Sequence, residues 1–177
     1  MIVWILGGLA ATVVLGAVVL TAMSMRPGAG QMVSSIEIAA TPERLWPWLS
    51  DGDKALKWVS WLVEVRPVSK DKEIWVMEDK NNGGQKMEIE GTLVKSDFPR
   101  SMTVHLKAEG GFEGDQTYEL TSLGENRTKL VVTSQFRYLQ AFARLMEPVI
   151  TPSASKKLQE DLDKLKSAVE REAMALR

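Results

Sequence analysis

Cysteine is missing from all 177 residues. Its absence excludes a disulfide framework, a thiolate metal site and a cysteine nucleophile, and leaves the redox compartment unspecified. Histidine is represented by His105 alone. A Ser-His-Asp triad would therefore have to use it, and no Gly-x-Ser-x-Gly elbow supplies the serine. In the run Met102-Thr103-Val104-His105-Leu106-Lys107, His105 shares a strand face with Thr103 and Lys107, opposite the apolar residues. That parity makes it a surface histidine. Phosphate loops and dinucleotide fingerprints are also absent: Gly83-Gly84 and Gly110-Gly111 separate strand-like segments, with no helix N-terminus behind them to receive an anion. There is no Lys/Arg block, and 22 basic against 23 acidic residues leave a net charge of −1. A nucleic-acid partner would call for a basic stripe, so none is expected.

Charge is absent altogether from Met1 to Met25, and the first charged side chain is Arg26, directly before Pro27. About 20 apolar residues at ~1.5 Å rise cross a bilayer core. Ile2 to Met23 meets that length, so residues 1–25 are expected to form a single transmembrane anchor. A cleaved leader is the competing reading, with Ala22-Met23-Ser24 as its cleavage site, but no basic residue precedes the apolar run and the run is long for a leader. Gly8, Thr12 and Gly16 fall on one helical face, a spacing that lets membrane helices approach closely; glycine is also simply common in such helices. Arg26 is the only flanking charge, and taken literally it places the soluble part in the cytoplasm. Residues 26–33 are expected to be a short Gly-containing linker that allows the domain to swivel, and residues 34–177 one domain with its own core.

Within that domain Ser34 to Ala39 alternates as a short strand does, with Ile36 and Ile38 on one face. Thr41-Pro42-Glu43 then provides an N-cap hydroxyl, a proline at the first helical position and an acid in the first turn. Leu45, Trp48 and Leu49 follow at core-facing spacing. Pro47 is expected to kink or shorten this helix, Asp51-Gly52-Asp53 to end it, and Lys54 to Trp58 to form a second short helical turn. Strands are expected at 61–69, 72–79, 85–96, 101–109, 115–123 and 128–138, rich in Val, Ile, Thr, Trp and Tyr and broken by turn residues. Those breaks are short, so the sheet is mostly antiparallel. The last helix carries a stripe of Leu158, Leu162, Leu165, Val169 and Leu176. It starts at Thr151-Pro152, or runs on from Ala141 with a kink at Pro148. With barely three heptads, it is expected to pack on its own sheet rather than in a coiled coil.

The fold class is therefore α+β, in the order β-α-α-β6-α. That order resembles the START-like or SRPBCC superfamily, specifically its polyketide cyclase/dehydrase-like members. The resemblance is carried by the run Ile36-Glu37-Ile38-Ala39-Ala40-Thr41-Pro42-Glu43-Arg44-Leu45-Trp46, by Lys57-Trp58 and Trp61, by Gly114-Asp115-Gln116-Thr117-Tyr118-Glu119-Leu120, and by Thr128-Lys129-Leu130-Val131-Val132. It implies a helix-grip fold, with a curved antiparallel sheet of about seven strands around the C-terminal helix and an apolar cavity between them. Members bind lipids, sterols, polyketides or other hydrophobic molecules, and only some are enzymes.

The residues themselves give independent support for a cavity. Five of the six tryptophans, Trp46, Trp48, Trp58, Trp61 and Trp75, lie between the first helix and the third strand. Ile74 and Val76 oppose Trp75 and Met77, where a sheet wet on one side would alternate more cleanly. By strand parity Tyr118 points the same way as Leu120, and Tyr138 the same way as Phe136 and Ser134. The expected cavity residues are thus Trp48, Trp58, Trp61, Trp75, Tyr118, Phe136 and Tyr138, although any one tryptophan would serve equally as core.

No catalytic, metal or cofactor constellation emerges. Glu88 and Glu90 share a strand face beside Lys86 and read as a solvated face, while Asp51 and Asp53 have no further ligands nearby. The expected function is a membrane-anchored binding domain that holds or presents a hydrophobic or lipid-like small molecule at the bilayer. The alternatives are a cyclase/dehydratase-type enzyme acting on such a molecule, and an anchoring or assembly module for a protein partner.

Overall fold

The computed structural model describes residues 16–22, 25, 28–79 and 83–175. The expected membrane span, Ile2 to Met23, lies mostly outside these residues, as do Gly8 and Thr12. Residues 16–22 are helical, and no helix among the described residues is long and apolar enough to cross a membrane.

Seven strands are described: β1 (Gln31–Ile38), β2 (Leu62–Ser69), β3 (Lys72–Asp79), β4 (Gln85–Asp97), β5 (Ser101–Ala108), β6 (Phe112–Ser122) and β7 (Thr128–Tyr138). The helices are α1 (Pro42–Ser50), α2 (Gly52–Ala55), α3 (Ala141–Leu145) and α4 (Glu147–Ala175). The strands form one antiparallel sheet in the order β1-β7-β6-β5-β4-β3-β2. Strands β2 to β7 thus follow as successive hairpins, and only the β1–β7 pairing is distant in sequence. Its register runs from Gln31 opposite Gln135 to Ile38 opposite Thr128. A bulge between Leu93 and Lys95 breaks the β4–β5 ladder, and such insertions bend a strand.

Strand β1 begins three residues before the expected Ser34, so Gln31, Met32 and Val33 of the expected linker are strand. Met32 alone of the three is buried, too little alternation to mark a strand in the sequence. The entry point is fixed by backbone instead: Phe136 N donates to Gly30 O at 3.0 Å, and Gly30 N donates to the buried carboxylate of Glu147 at 2.9 Å. A Cβ on Gly30, at φ +74°, would lie 2.0 Å from Phe136 O, so only glycine lets the two backbones approach this closely.

Helix α1 forms over nine residues despite Pro47. The carbonyl that the missing N–H leaves free is that of Glu43, which is exposed, so water satisfies it. Of the two expected starts, Ala141 does begin a helix, but the segment from there is separate and the kink is not at Pro148. The break falls at Met146, and Pro148 sits in the first turn of α4, where an N–H would be unpaired in any case.

Helix α4 lies in the concave face of the sheet, as expected of a stripe this short. Leu162, Leu165 and Val169 pack with Ile38, Leu130, Val132 and Tyr118, while Leu176 lies outside the described residues. Two polar clasps fix the helix lengthwise. Asp161 accepts from Ser60 N at 3.1 Å and also from Ser60 Oγ. Glu172 accepts from Trp48 Nε1 and from Lys54 Nζ, both at 3.0 Å. The hydrogen bond from Lys54, then that from Trp48, holds the Glu172 carboxyl below its ordinary value.

Candidate functional site

Strand parity decides which side chains face the concave side. Successive ladder pairs carry one rung across the sheet: Glu73 opposite Gly91, Gly91 opposite Leu106, and Leu106 opposite Gly114. Gly91 on that rung lacks a side chain and leaves a hollow, whereas Gly114 is closed over by backbone, a Cβ there lying 2.0 Å from Gln135 O. A cavity of ≈ 280 Å³ opens there between the sheet and α1. Its apolar wall comes from Leu93, Met102, Val104 and Leu106 on β4 and β5, from Trp75 on β3, and from Trp46 and Leu49 on α1. The rim is the exposed β2–β3 turn around Lys70 and Asp71, together with the α1–α2 junction at Asp51.

A short polar chain ends in this apolar space. Ser134 Oγ donates to Gln116 Oε1 at 3.1 Å, and Gln116 Nε2 donates to the phenol oxygen of Tyr118. With that oxygen accepting from Gln116, the phenol keeps its own proton to donate. From the other side of the cavity, Glu73 Oε1 accepts from Trp75 Nε1. Burial pushes the Tyr118 phenol up from 10.0 to about 12; the Gln116 hydrogen bond opposes the rise and the charge of Glu73 adds to it.

This shift has a consequence for stability. The folded state favours the protonated phenol, so the contribution is complete below the unfolded value of 10.0 and is lost as pH rises towards about 12. The loss amounts to about 3 kcal/mol. Chemical denaturation at neutral pH and at about pH 11.5 should therefore show a steeper alkaline loss in the native chain than in Tyr118→Phe.

Of the seven expected cavity residues, Trp75 and Tyr118 line this space. Trp48 and Trp58 are corrected to core residues: both are buried, and Trp58 Nε1 donates to Trp48 O at 2.9 Å. Trp61 points outward, 43% exposed at φ +66°, with Lys157 Nζ 5.3 Å from its ring. Phe136 packs against Phe112 with the rings tilted by 58° and their centroids 4.9 Å apart. It belongs with Tyr138 to a second, more open hollow of ≈ 510 Å³ beside Gly30 and Glu147. There the Tyr138 phenol lies 3.4 Å from Thr151 Oγ1, and partial burial raises its pKa.

The polar candidates fall as their parity suggests. His105 is on the outer face, its Nδ1 2.7 Å from Asp115 Oδ1. Glu88 pairs outward with Arg66, and Glu90 with Lys72 at 2.8 Å. Asp51 caps α2 by accepting from Asp53 N at 2.9 Å. Among the described residues, no group of His, Asp and Glu is arranged to hold a metal ion. Sequence reasoning missed Glu73 and Gln116. Their signal was available: each stands two residues from an inward-facing aromatic, Trp75 and Tyr118 respectively.

Residues 29–170 match the family model described as polyketide cyclase / dehydrase and lipid transport. The chain belongs to this family. Solved structures of similar fold include a conserved protein from Geobacillus kaustophilus, with a TM-score of 0.70 at 15% identity over 80% of this chain and 95% of that one. A START superfamily protein from Mycobacterium smegmatis reaches 0.68 at 16% identity over 80% and 97%. The ZhuI aromatase/cyclase from Streptomyces sp. R1128 reaches 0.64 at 14% identity over 81% and 94%. At such identities the likeness is one of fold, and function has to be argued from the site. No curated protein gives a significant match.

Proposed function

We propose that this polyketide cyclase/dehydrase family member is a single-pass, membrane-anchored binding domain for a hydrophobic or lipid-like small molecule. In this reading residues 1–25 span the bilayer, the chain from Arg26 leads into the domain, and the lone Arg26 keeps the domain on the cytoplasmic side. The observation that carries the binding function is the ≈ 280 Å³ cavity, walled by leucine, valine, methionine and tryptophan and furnished with a few convergent polar groups. That combination is the usual make-up of a small-molecule site. Methionine and tryptophan surfaces also suit a ligand recognised by bulk rather than by many hydrogen bonds.

Two measurements on the full chain test this function. The protein should stay with the membrane pellet through alkaline washing, and release into the supernatant removes the anchor. A brominated alkane added to the solubilised chain should quench tryptophan fluorescence with a saturable component, because Trp46 and Trp75 line the cavity. Quenching that rises linearly with concentration, as from simple partitioning, contradicts a binding site.

A further inference from the structure

We propose that the cavity accepts an apolar molecule whose polar end donates a hydrogen bond, an alcohol or a protonated amine, and discriminates against one that ends in a carboxylate. This deepens the binding function above and rests on it.

The inference comes from the charges that meet the hollow. Five charged residues border it: Asp51, Lys70, Asp71, Lys72 and Glu73. Asp51, Lys70 and Asp71 are exposed at the rim. Lys72 is turned to the convex face, where its Nζ is 2.8 Å from Glu90 Oε2. Glu73 is the one that faces inward, on the ladder position opposite Gly91. Because Gly91 has no side chain, the space in front of Glu73 is empty: a Cβ built on Gly91 would touch Glu73 Cγ at 3.7 Å and Leu106 Cδ2 at 3.6 Å.

The hydrogen-bond inventory sets the direction of recognition. One oxygen of Glu73 accepts from Trp75 Nε1, and no described residue meets the other. A carboxylate only accepts, so its free oxygen calls for a donor. Across the cavity the Tyr118 phenol offers a proton, its oxygen being already engaged by Gln116. A hydroxyl group satisfies both, donating to Glu73 and accepting from Tyr118. A protonated amine satisfies Glu73 with a charge-assisted bond, the stronger kind. A ligand carboxylate brings neither a donor for the free oxygen of Glu73 nor relief from its like charge.

Native mass spectrometry of the full chain reads this preference in one competition. The detergent-solubilised protein is incubated with equal amounts of decanol, decylamine and decanoate, and the adducts are resolved by mass. Decanol and decylamine adducts should each exceed the decanoate adduct by about tenfold or more. Glu73→Gln keeps the size of the side chain and an acceptor for Trp75 while adding an N–H that serves a carboxylate, so it should bring the three adducts to within about threefold of one another. Equal loading of the native chain, or a decanoate excess, overturns the proposal. So does a native preference that persists in Glu73→Gln. The native-chain ratio decides the question even where the variant fails to fold. A chain that takes up none of the three probes overturns the binding function itself and this proposal with it, an outcome distinct from binding all three alike.

Discussion

Replacing Gly91 with leucine is expected to cut binding of any apolar ligand by about a hundredfold or more while leaving thermal unfolding unchanged or raised. Gly91 is a central β4 residue on the concave face, paired with Glu73 on one side and Leu106 on the other. The nearest atoms to a Cβ there lie at 3.6 to 3.7 Å, ordinary van der Waals contact, and no positive φ penalises a side chain. The rest of the leucine has only the cavity to enter. Glycine inside a strand weakens it by roughly 0.5–1 kcal/mol relative to alanine, so the substitution also removes an entropic cost. Most substitutions that abolish function also destabilise; here the two effects are expected to move in opposite directions. Calorimetry on the same sample as the binding titration shows whether they do. A variant that unfolds at much lower temperature would mean that the space is closed in solution and already filled.

Leu162→Ala is expected to destabilise the domain by about 3–5 kcal/mol. Leu162 is wholly buried, in the middle of the stripe by which α4 grips the sheet. Truncation removes its transfer free energy and leaves a void between a long helix and a hydrogen-bonded sheet, neither of which collapses easily. Typical domain stability is ~5–15 kcal/mol, so the loss is a large share of the total. Chemical denaturation measures it directly. The same truncation at Val149, more than half exposed on the first turns of α4, should change stability by less than about 0.5 kcal/mol. Equal effects at the two positions would mean that α4 is not held in the concave face.

Both substitutions draw on features of different legibility. The stripe of Leu162, Leu165 and Val169 is plain in the sequence because a helix repeats its buried face every three to four residues. Strands β2 to β5 and β7 are similarly legible, their breaks marked by Ser69-Lys70-Asp71, Asp97-Phe98-Pro99-Arg100 and Gly124-Glu125-Asn126, while β6 opens at Phe112, three residues before its expected start. The opening of β1 is not legible, since Met32 is its only buried residue before Ser34. The break between α3 and α4 escapes for a related reason: the five residues of α3 bury none of their side chains, so no periodic face shows where one helix stops.

The cavity is half legible. Alternation places Tyr118 and Trp75 on the inner face, but it cannot tell a side chain that borders a hollow from one that fills the core. Trp48 and Trp58 are separated from the cavity by bonds that no local pattern encodes, to Glu172 on the last helix and between the two tryptophans themselves. Trp61 is turned out by its left-handed backbone. Glu73 is hidden because an acid at an inward position reads as a lapse in the strand pattern. Here that lapse marks the site. The apolar opening segment lies mostly outside the described residues, so its span rests on the sequence.

Mass spectrometry of the solvent extract from the full chain, purified in parallel with Gly91→Leu, tests the binding cavity most directly. A functional cavity predicts one dominant apolar species, close to one molecule per chain, in the native extract and its loss from the variant. An extract with no such species, or the same species in equal amount from both proteins, would contradict it.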